Sequence, residues 1–267
     1  MNPDLREKFA AAAQQGRAAF VPYVTGGFPD ADTCLELILA LDELGSEVIE
    51  VGIPFSDPLA DGPTIQLSSQ KALEAGATPA KVLDTMARAA AKTKAALVTM
   101  TYVNPVLAMG YEEFARRASG SGVSGVIIPD LPPEEAGQWL QACQTHGLDP
   151  VFMAAPGTPM ERLDRILAVG GGFLYYVSMD GVTGADLELG PERLAAMQRV
   201  RARSSLPVAV GFGVATPAQA AALAPVADGV VVGSALVRQV HQAKTPQEAV
   251  EAVRGLAGEL RQALLVR

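Results

Sequence analysis

Short apolar runs alternate with longer amphipathic stretches along the whole chain. In the short runs, β-branched and other apolar residues occupy consecutive positions, which is typical of strands buried on both faces. In the longer stretches, apolar residues recur every three or four positions, as they do on one face of a helix. We therefore predict eight buried strands, at Ala19–Thr25, Val48–Ile53, Ala96–Tyr102, Gly125–Pro129, Pro150–Ala154, Phe173–Ser178, Pro207–Gly211 and Gly229–Gly233.

Helices are predicted in every gap between these strands. They lie at Asp32–Leu44, Ile65–Ala75, Ala80–Lys92, Tyr111–Ser119, Glu134–His146, Met160–Val169, Glu192–Arg203 and Pro217–Leu223, with Pro3–Gln15 before the first strand and Ala235–Gln242 and Pro246–Leu265 after the last. Strands joined by helical crossovers favour a parallel (β/α)8 TIM barrel with an extra N-terminal helix and extra C-terminal helices. An open doubly wound sheet is the alternative. Because no linker or repeat divides the sequence, we expect residues 1–267 to form a single domain.

The composition limits the possible partners and the compartment. A formal charge of −8 argues against nucleic acid or an anionic membrane as a partner. No apolar run is long enough to cross a membrane, and Met1–Gly16 has the pattern of a polar-faced helix rather than a signal peptide. Cys34 and Cys143 lie in predicted helices, which fits a reducing cytoplasm. His146 and His241 have helical contexts without metal-ligand spacing, so no metal site is expected.

The most informative stretch is EVIEVGIPFSDPLADGPT, at positions 47–64. It places Glu50 inside an otherwise apolar strand, and the loop that follows carries Asp61. A carboxylate in a buried strand is costly unless it has a partner or a function. Near the C-terminal end of a barrel strand, where such enzymes carry out their chemistry, Glu50 is a candidate general acid–base. A structural ion pair for Glu50 and a turn role for Asp61 are the alternatives.

Two glycine-containing turns near the end of the chain indicate a phosphate site. The seventh strand ends in Gly211-Phe212-Gly213, and the eighth ends in Gly233-Ser234, where a helix begins. Loops after strands seven and eight of barrels, together with a helix N-terminus, commonly hold phosphate on backbone N–H groups. The alternative is that these glycines only form tight turns and that Ser234 is an ordinary helix cap.

Two long loops and one missing residue type narrow the reaction class. The loops at 54–63 and 178–191 exceed the usual length of such connections, and Thr183 lies between the hinge-like Gly181 and Gly184 in the second loop. Disorder of that loop is the alternative to a lid. No lysine lies on a predicted strand or strand end, which argues against Schiff-base chemistry. The sequence therefore favours acid–base work by two carboxylates on a phosphorylated substrate.

Several motifs, in order along the chain, resemble the tryptophan synthase α subunit. They are EVGIPFSDPLADGPTIQ from Glu50, TYVNP at 101–105, PDLPPEE at 129–135, SMDGVTG at 178–184, and the GFG and GS turns. The first motif is highly specific, and the set spans most of the chain. Met179 departs from the arginine that some members carry, which leaves a charged contact from that position to a closed lid in question.

The resemblance implies a function and a set of site residues. The family cleaves indole-3-glycerol phosphate into indole and glyceraldehyde 3-phosphate. Glu50 would be the general acid–base, Asp61 would pair with the indole N–H, and Thr183 would engage Asp61 on loop closure. The resemblance places Tyr175 and Tyr102 beside Glu50, Phe212, Met100, Ile127 and Met153 at the indole wall, and Gly184, Gly213, Gly233 and Ser234 at the phosphate.

The resemblance also implies a partner. A β subunit carrying pyridoxal phosphate would consume the indole within an α2β2 heterotetramer, while the chain described here would need no cofactor of its own. Two other interpretations stay open from the sequence. One is a stand-alone indole-3-glycerol-phosphate lyase, and the other is a catalytically silent barrel that activates a partner.

Overall fold

The protein is described here from a computed structural model, which covers residues 2–177, 189–211 and 213–265. Its strands are β1 (Ala19–Thr25), β2 (Val48–Gly52), β3 (Ala96–Met100), β4 (Val123–Ile127), β5 (Asp149–Val151), β6 (Met153–Ala154), β7 (Leu174–Val177), β8 (Val208–Gly211) and β9 (Gly229–Val232). Each pairs in parallel with its neighbours, in the order β5-β4-β3-β2-β1-β9-β8-β7-β6. The parallel barrel is thereby confirmed, and the open doubly wound alternative is wrong.

The predicted fifth strand is divided into two consecutive segments. β5 pairs with β4 on one side, and β6 pairs with β7 on the other, with Phe152 between them. Val151 and Met153 face the inside of the barrel while Phe152 packs outside, so the alternation of a single strand continues through the break. Pro150 has no N–H to give to a ladder, which weakens regular pairing at this point. The two segments together act as one strand that closes the barrel.

Helices cover the outside of the barrel. They are α1 (Leu5–Gln14), α2 (Ala31–Glu43), α3 (Pro63–Glu74), α4 (Pro79–Ala90), α5 (Val103–Met109), α6 (Tyr111–Gly120), α7 (Gly137–His146), α8 (Met160–Val169), α9 (Pro191–Arg203), α10 (Pro217–Leu223), α11 (Ser234–Gln242) and α12 (Pro246–Gln262). None of the helices in the part of the chain described is both long and apolar enough to cross a membrane.

Two helical details differ from the sequence prediction. α5 was not predicted; its Pro105 lies in the first turn, where proline is tolerated. The helix predicted at Glu134–His146 is instead a 3₁₀ turn at Pro133–Glu135 followed by α7. Consecutive prolines at 132–133 fix the backbone there before the regular helix begins.

The N-terminal helix closes the bottom of the barrel. Leu5, Phe9 and Ala12 of α1 belong to the inner apolar cluster together with inward-facing residues of the strands. A Cβ added at Gly125 would lie 2.9 Å from the Leu5 side chain, and one at Gly229 would lie 2.6 Å from the Phe9 ring. These two strand positions lack side chains because α1 fills the space. α1 therefore fills the interior at the N-terminal ends of the strands.

Candidate active site

A pocket opens where the strands end, on the face of the barrel opposite α1. Its walls come from five strands, β1, β2, β3, β7 and β9, together with the loops after β2, β8 and β9 and the starts of α3 and α11. The lining residues are Tyr23, Glu50, Asp61, Ile65, Met100, Tyr175, Gly213, Val214, Val231, Gly233 and Ser234. Seven of the residues chosen from the sequence are thus brought together in one cavity.

Glu50 lies inward on β2 and is almost completely buried, with 1% of its surface exposed. Its Oε2 atom is buried and has no hydrogen-bond partner within the part of the chain described. Burial, and to a smaller extent the nearby charge of Asp61, raises the pKa of this carboxyl from 4.5 to about 8. Glu50 is therefore mostly protonated at neutral pH and can ionise when its surroundings change.

Asp61 lies in the loop that joins β2 to α3 and is 7% exposed. Burial raises its pKa to about 6, although the Tyr102 hydroxyl, which donates to the carboxylate, opposes that shift. The same hydroxyl accepts the Ala60 N–H at 3.0 Å, and the Phe55 ring packs 5.4 Å from the Tyr102 ring. Tyr102 therefore holds the loop and its carboxylate in place. At neutral pH the two carboxyl groups differ in charge, Asp61 being mainly ionised.

Two tyrosine rings lean over glycines at the pocket mouth. A Cβ at Gly52 would lie 2.1 Å from the Tyr23 hydroxyl, and a Cβ at Gly211 would lie 2.6 Å from the Tyr175 hydroxyl. Burial raises the pKa of both tyrosines well above 10, and the charges of Glu50 and Asp61 raise it further. The hydroxyls therefore stay protonated and can donate to a carboxylate or a substrate.

Three of the residues predicted to hold phosphate, Gly213, Gly233 and Ser234, line the same pocket, and a Cβ at Gly233 would lie 3.5 Å from the Tyr23 Cβ. Gly213, two residues after the end of β8, has φ +86°, a left-handed conformation that favours glycine. Gly233 precedes α11, which begins at Ser234, so the first backbone N–H groups of that helix lie at the cavity. Such groups and the helix dipole favour an anion.

The remaining predicted residues are placed as follows. Met100, Ile127 and Tyr175 belong to the inner apolar cluster, and Met153 packs against it partly buried. Met153 lines a separate cleft with Asp130. Neither Met153 nor Ile127 is among the lining residues of the pocket itself. Thr183, Gly184 and Phe212 lie outside the described residues, as does Met179.

Sequence reasoning missed Tyr23, Ile65, Val214 and Val231 as lining residues. Alternation within β1 does not single out Tyr23, because its importance comes from the register that makes it the Cα partner of Glu50 on the neighbouring strand. Within the ranges that the structure covers, no group of His, Cys, Asp and Glu side chains could hold a metal ion.

This arrangement defines a (β/α)8-barrel enzyme whose pocket combines two buried carboxyl groups with a helix N-terminus. The family model "Tryptophan synthase alpha chain" matches residues 9–265, and the chain belongs to that family. It is 47% identical over 234 residues to the tryptophan synthase alpha chain of Geotalea daltonii, covering 88% of this chain and 89% of the relative. It is 45% identical over 264 residues to that of Halorhodospira halophila, covering 97% and 96%.

Solved structures agree with this assignment. A structure of Mycobacterium tuberculosis tryptophan synthase superimposes with a TM-score of 0.90 at 39% identity, covering 100% of both chains. A tryptophan synthase alpha chain from Legionella pneumophila superimposes with a TM-score of 0.89 at 35% identity, covering 99% of this chain and 97% of that one.

Proposed function

We propose that this chain is a lyase that cleaves indole-3-glycerol phosphate into indole and glyceraldehyde 3-phosphate, as the α subunit of a tryptophan synthase. The observation that carries the proposal, beside membership of the family, is the state of Glu50. It is a buried carboxyl group with its pKa raised to about 8 and with one oxygen that has no hydrogen-bond partner among the described residues, at the edge of a pocket with a second carboxylate. A group of this kind can both give and take a proton near neutral pH.

The cleavage uses both states of Glu50. The protonated carboxyl gives its proton to C3 of the indole, which turns the ring into an electron acceptor for the adjoining C–C bond. The resulting carboxylate takes the proton of the hydroxyl on the neighbouring carbon, and that carbon becomes the aldehyde as the bond to C3 breaks. The bond electrons return to the ring and give neutral indole. One proton enters and one leaves through the same side chain, so no other reactant is required.

Asp61 stabilises the charge that forms on the ring. Because it is mainly ionised at neutral pH, it can accept the indole N–H and oppose the positive charge created when C3 is protonated. Tyr102 supports the ionised form by donating to it. In the proposal, Thr183 contacts Asp61 when the loop at 178–191 closes.

The substrate lies between an apolar wall and an anion site. We assign Tyr175, Tyr102, Met100, Ile127, Met153 and Phe212 to the indole side, and the backbone N–H groups of Gly184, Gly213, Gly233 and Ser234 to the phosphate. Support comes from the joint lining of one pocket by Met100, Tyr175, Gly213, Gly233 and Ser234. A dianion held by neutral backbone donors suits a chain with a net charge of −8.

A β subunit is the proposed partner, in an α2β2 assembly located in the cytoplasm. Large apolar side chains are exposed after three strands that end at the mouth: Leu59 after β2 (86% exposed), Leu107 after β3 (51%) and Met160 after β6 (48%). Exposed apolar groups gathered on one rim fit a protein contact. The pyridoxal phosphate of the complete enzyme would belong to that partner, where indole is consumed, and this chain would use no cofactor.

Indole release from indole-3-glycerol phosphate tests the proposal and separates the alternatives. We expect slow release by the isolated chain, a large increase in kcat when β subunit is titrated in, and loss of release in Glu50→Gln. Full activity that is unchanged by saturating β subunit would instead support a stand-alone lyase. No release under either condition, combined with stimulation of the β subunit, would support a catalytically silent activator.

A further inference from the structure

A row of three buried hydroxyl groups leads from the pocket into α3. Thr25 Oγ1 donates to the Tyr23 hydroxyl at 3.4 Å and lies 2.7 Å from Ser68 Oγ. Ser68 Oγ lies 2.8 Å from the carbonyl oxygen of Ile65, one turn earlier in α3. All three hydroxyl residues are buried, Ser68 completely. The row therefore joins a pocket residue to the helix that begins two residues after Asp61.

Tyr23 is the end of this row that faces the carboxyl groups. It is the Cα partner of Glu50 on the adjacent strand, and both residues line the pocket. The ring extends over Gly52, which lies on the same face of β2 two positions beyond Glu50. Gly52 leaves the space that the tyrosine occupies. The buried Oε2 atom of Glu50, which has no hydrogen-bond partner among the described residues, is the atom that we expect this hydroxyl to reach.

The row has two alternative arrangements, because each hydroxyl has only one proton to donate. If Ser68 donates to the Ile65 carbonyl, Thr25 can donate to Ser68, and the Tyr23 oxygen is left able to accept. If Ser68 donates to Thr25, then Thr25 donates to Tyr23, and the polarised Tyr23 hydroxyl becomes a stronger donor. The first arrangement suits a protonated carboxyl group beside Tyr23, and the second suits a carboxylate.

We propose that Tyr23 is a positioning residue of the cleavage reaction, whose hydroxyl, oriented by Thr25 and Ser68, accepts from protonated Glu50 and donates to ionised Glu50. The proposal rests on the proposed function, because only a carboxyl group that changes its protonation within each cycle needs a neighbour of both kinds. Tyr23 itself gives up no proton to the substrate. It stabilises each state of Glu50 in turn.

The electrostatic surroundings of Glu50 leave few other groups for this role. Asp61, on the loop after β2, is an acceptor at neutral pH, and its known donor is Tyr102. Tyr175 on β7 faces the same pocket and is the other protonated hydroxyl within it. The neighbouring β3 and β9 contribute only apolar residues to the lining, Met100 and Val231.

The variant Tyr23→Phe keeps the ring over Gly52 and removes only the hydroxyl. The hydroxyl stabilises both states of Glu50, but the charge-assisted bond to the carboxylate is the stronger of the two, so loss of the hydroxyl should raise the pKa of Glu50. Since the free enzyme needs protonated Glu50, kcat/KM falls as pH rises through that pKa. We expect the fall of kcat/KM on the basic side of the pH profile, the basic limb, to occur about one pH unit higher, which is a tenfold change in the ionisation constant. We expect kcat to fall by about tenfold while KM changes less than about twofold.

Variants that interrupt the row behind Tyr23 test the orienting role. Thr25→Val and Ser68→Ala leave the Tyr23 hydroxyl in place, and each should move the limb in the same direction by a smaller amount, about twofold to threefold in the ionisation constant. Ser69→Ala is the matched control, because Ser69 is the adjacent buried serine of α3 and is not part of the row. It should leave the pH profile unchanged.

The experiment records pH profiles of indole release for these five proteins, wild type included. In parallel, infrared titration without substrate follows the protonated Glu50 carboxyl, whose band is isolated by subtracting the Glu50→Gln spectrum. Upward shifts in Tyr23→Phe and smaller ones in Thr25→Val and Ser68→Ala support the proposal. Superimposable profiles for Tyr23→Phe and wild type would overturn it, as would a Ser69→Ala shift equal to that of Ser68→Ala. A wild type that releases no indole would defeat the proposed function, while the infrared titration would still decide the role of the hydroxyl row.

Discussion

The burial of Glu50 should make the fold less stable as pH rises, and Glu50→Gln should remove that dependence. The folded-state pKa is raised from 4.5 to about 8, so between these values the folded chain holds a proton that the unfolded chain has lost. Stability therefore falls with increasing pH through this window, and the loss is complete above the folded-state pKa. Each pH unit within the window corresponds to about 1.4 kcal/mol. Between about pH 5 and pH 8 the wild type should lose about 3 kcal/mol relative to the glutamine variant.

Urea unfolding, followed by circular dichroism at a series of pH values, measures this difference. The absolute stability of Glu50→Gln depends also on how well the buried amide is satisfied, a cost of about 1–3 kcal/mol that does not vary with pH. The change of the difference with pH is therefore the relevant quantity. Glu36→Gln, the same substitution at an exposed position of α2, is the control and should parallel the wild type. Parallel curves for Glu50→Gln and wild type from pH 5 to pH 8 would refute the reasoning.

Three further variants test separate parts of the structure. Asp61→Asn should lower kcat for indole release by about 10²–10⁴-fold with little change in KM, because the amide cannot oppose the charge on the protonated ring; a kcat above a tenth of wild type would contradict this. Gly213→Val, at φ +86°, should weaken glycerol phosphate binding in calorimetry but leave indole binding unchanged, and equal losses for both ligands would argue against the assigned phosphate site. Phe9→Ala should cost about 3–5 kcal/mol in urea unfolding, because Phe9 fills the barrel floor 5.3 Å from the Phe173 ring, while leaving kcat near wild type.

The sequence predicted the barrel well because its strands are short, apolar and separated by amphipathic helices. The start and end of β1 were predicted as observed. The α5 helix was missed because a seven-residue helix containing Pro105 has too little periodicity to be recognised. The division between β5 and β6 depends on which neighbours each segment pairs with, and that information is not local.

The candidate site was predicted in the same uneven way. Glu50 and Asp61 belong to one short motif, and strand alternation puts Glu50 on the face opposite Ile49 and Val51 without saying which face is inside. Tyr23 resembles an ordinary core residue in its strand, and its relation to Glu50 appears only through the register between β1 and β2. The influence of burial on the pKa of either carboxyl group also needs the assembled pocket, because residues from five strands contribute to it.

The division of the fifth strand into β5 and β6 interrupts the hydrogen bonding around the barrel at one point. Among the described residues, every other strand pairs with a neighbouring strand along both edges, whereas β5 pairs as a strand only with β4 and β6 only with β7. The sheet is therefore closed only by the short ladder between β5 and β4 and the short ladder between β6 and β7, on either side of Phe152. Local opening of the sheet should begin at these two short ladders. Amide protons of β5 and β6 should therefore exchange with solvent sooner than those of β1 and β2. Glu50 and Asp61 lie on β2 and the loop after it, and β2 is paired along both edges, with β1 and β3, where the backbone is held most firmly.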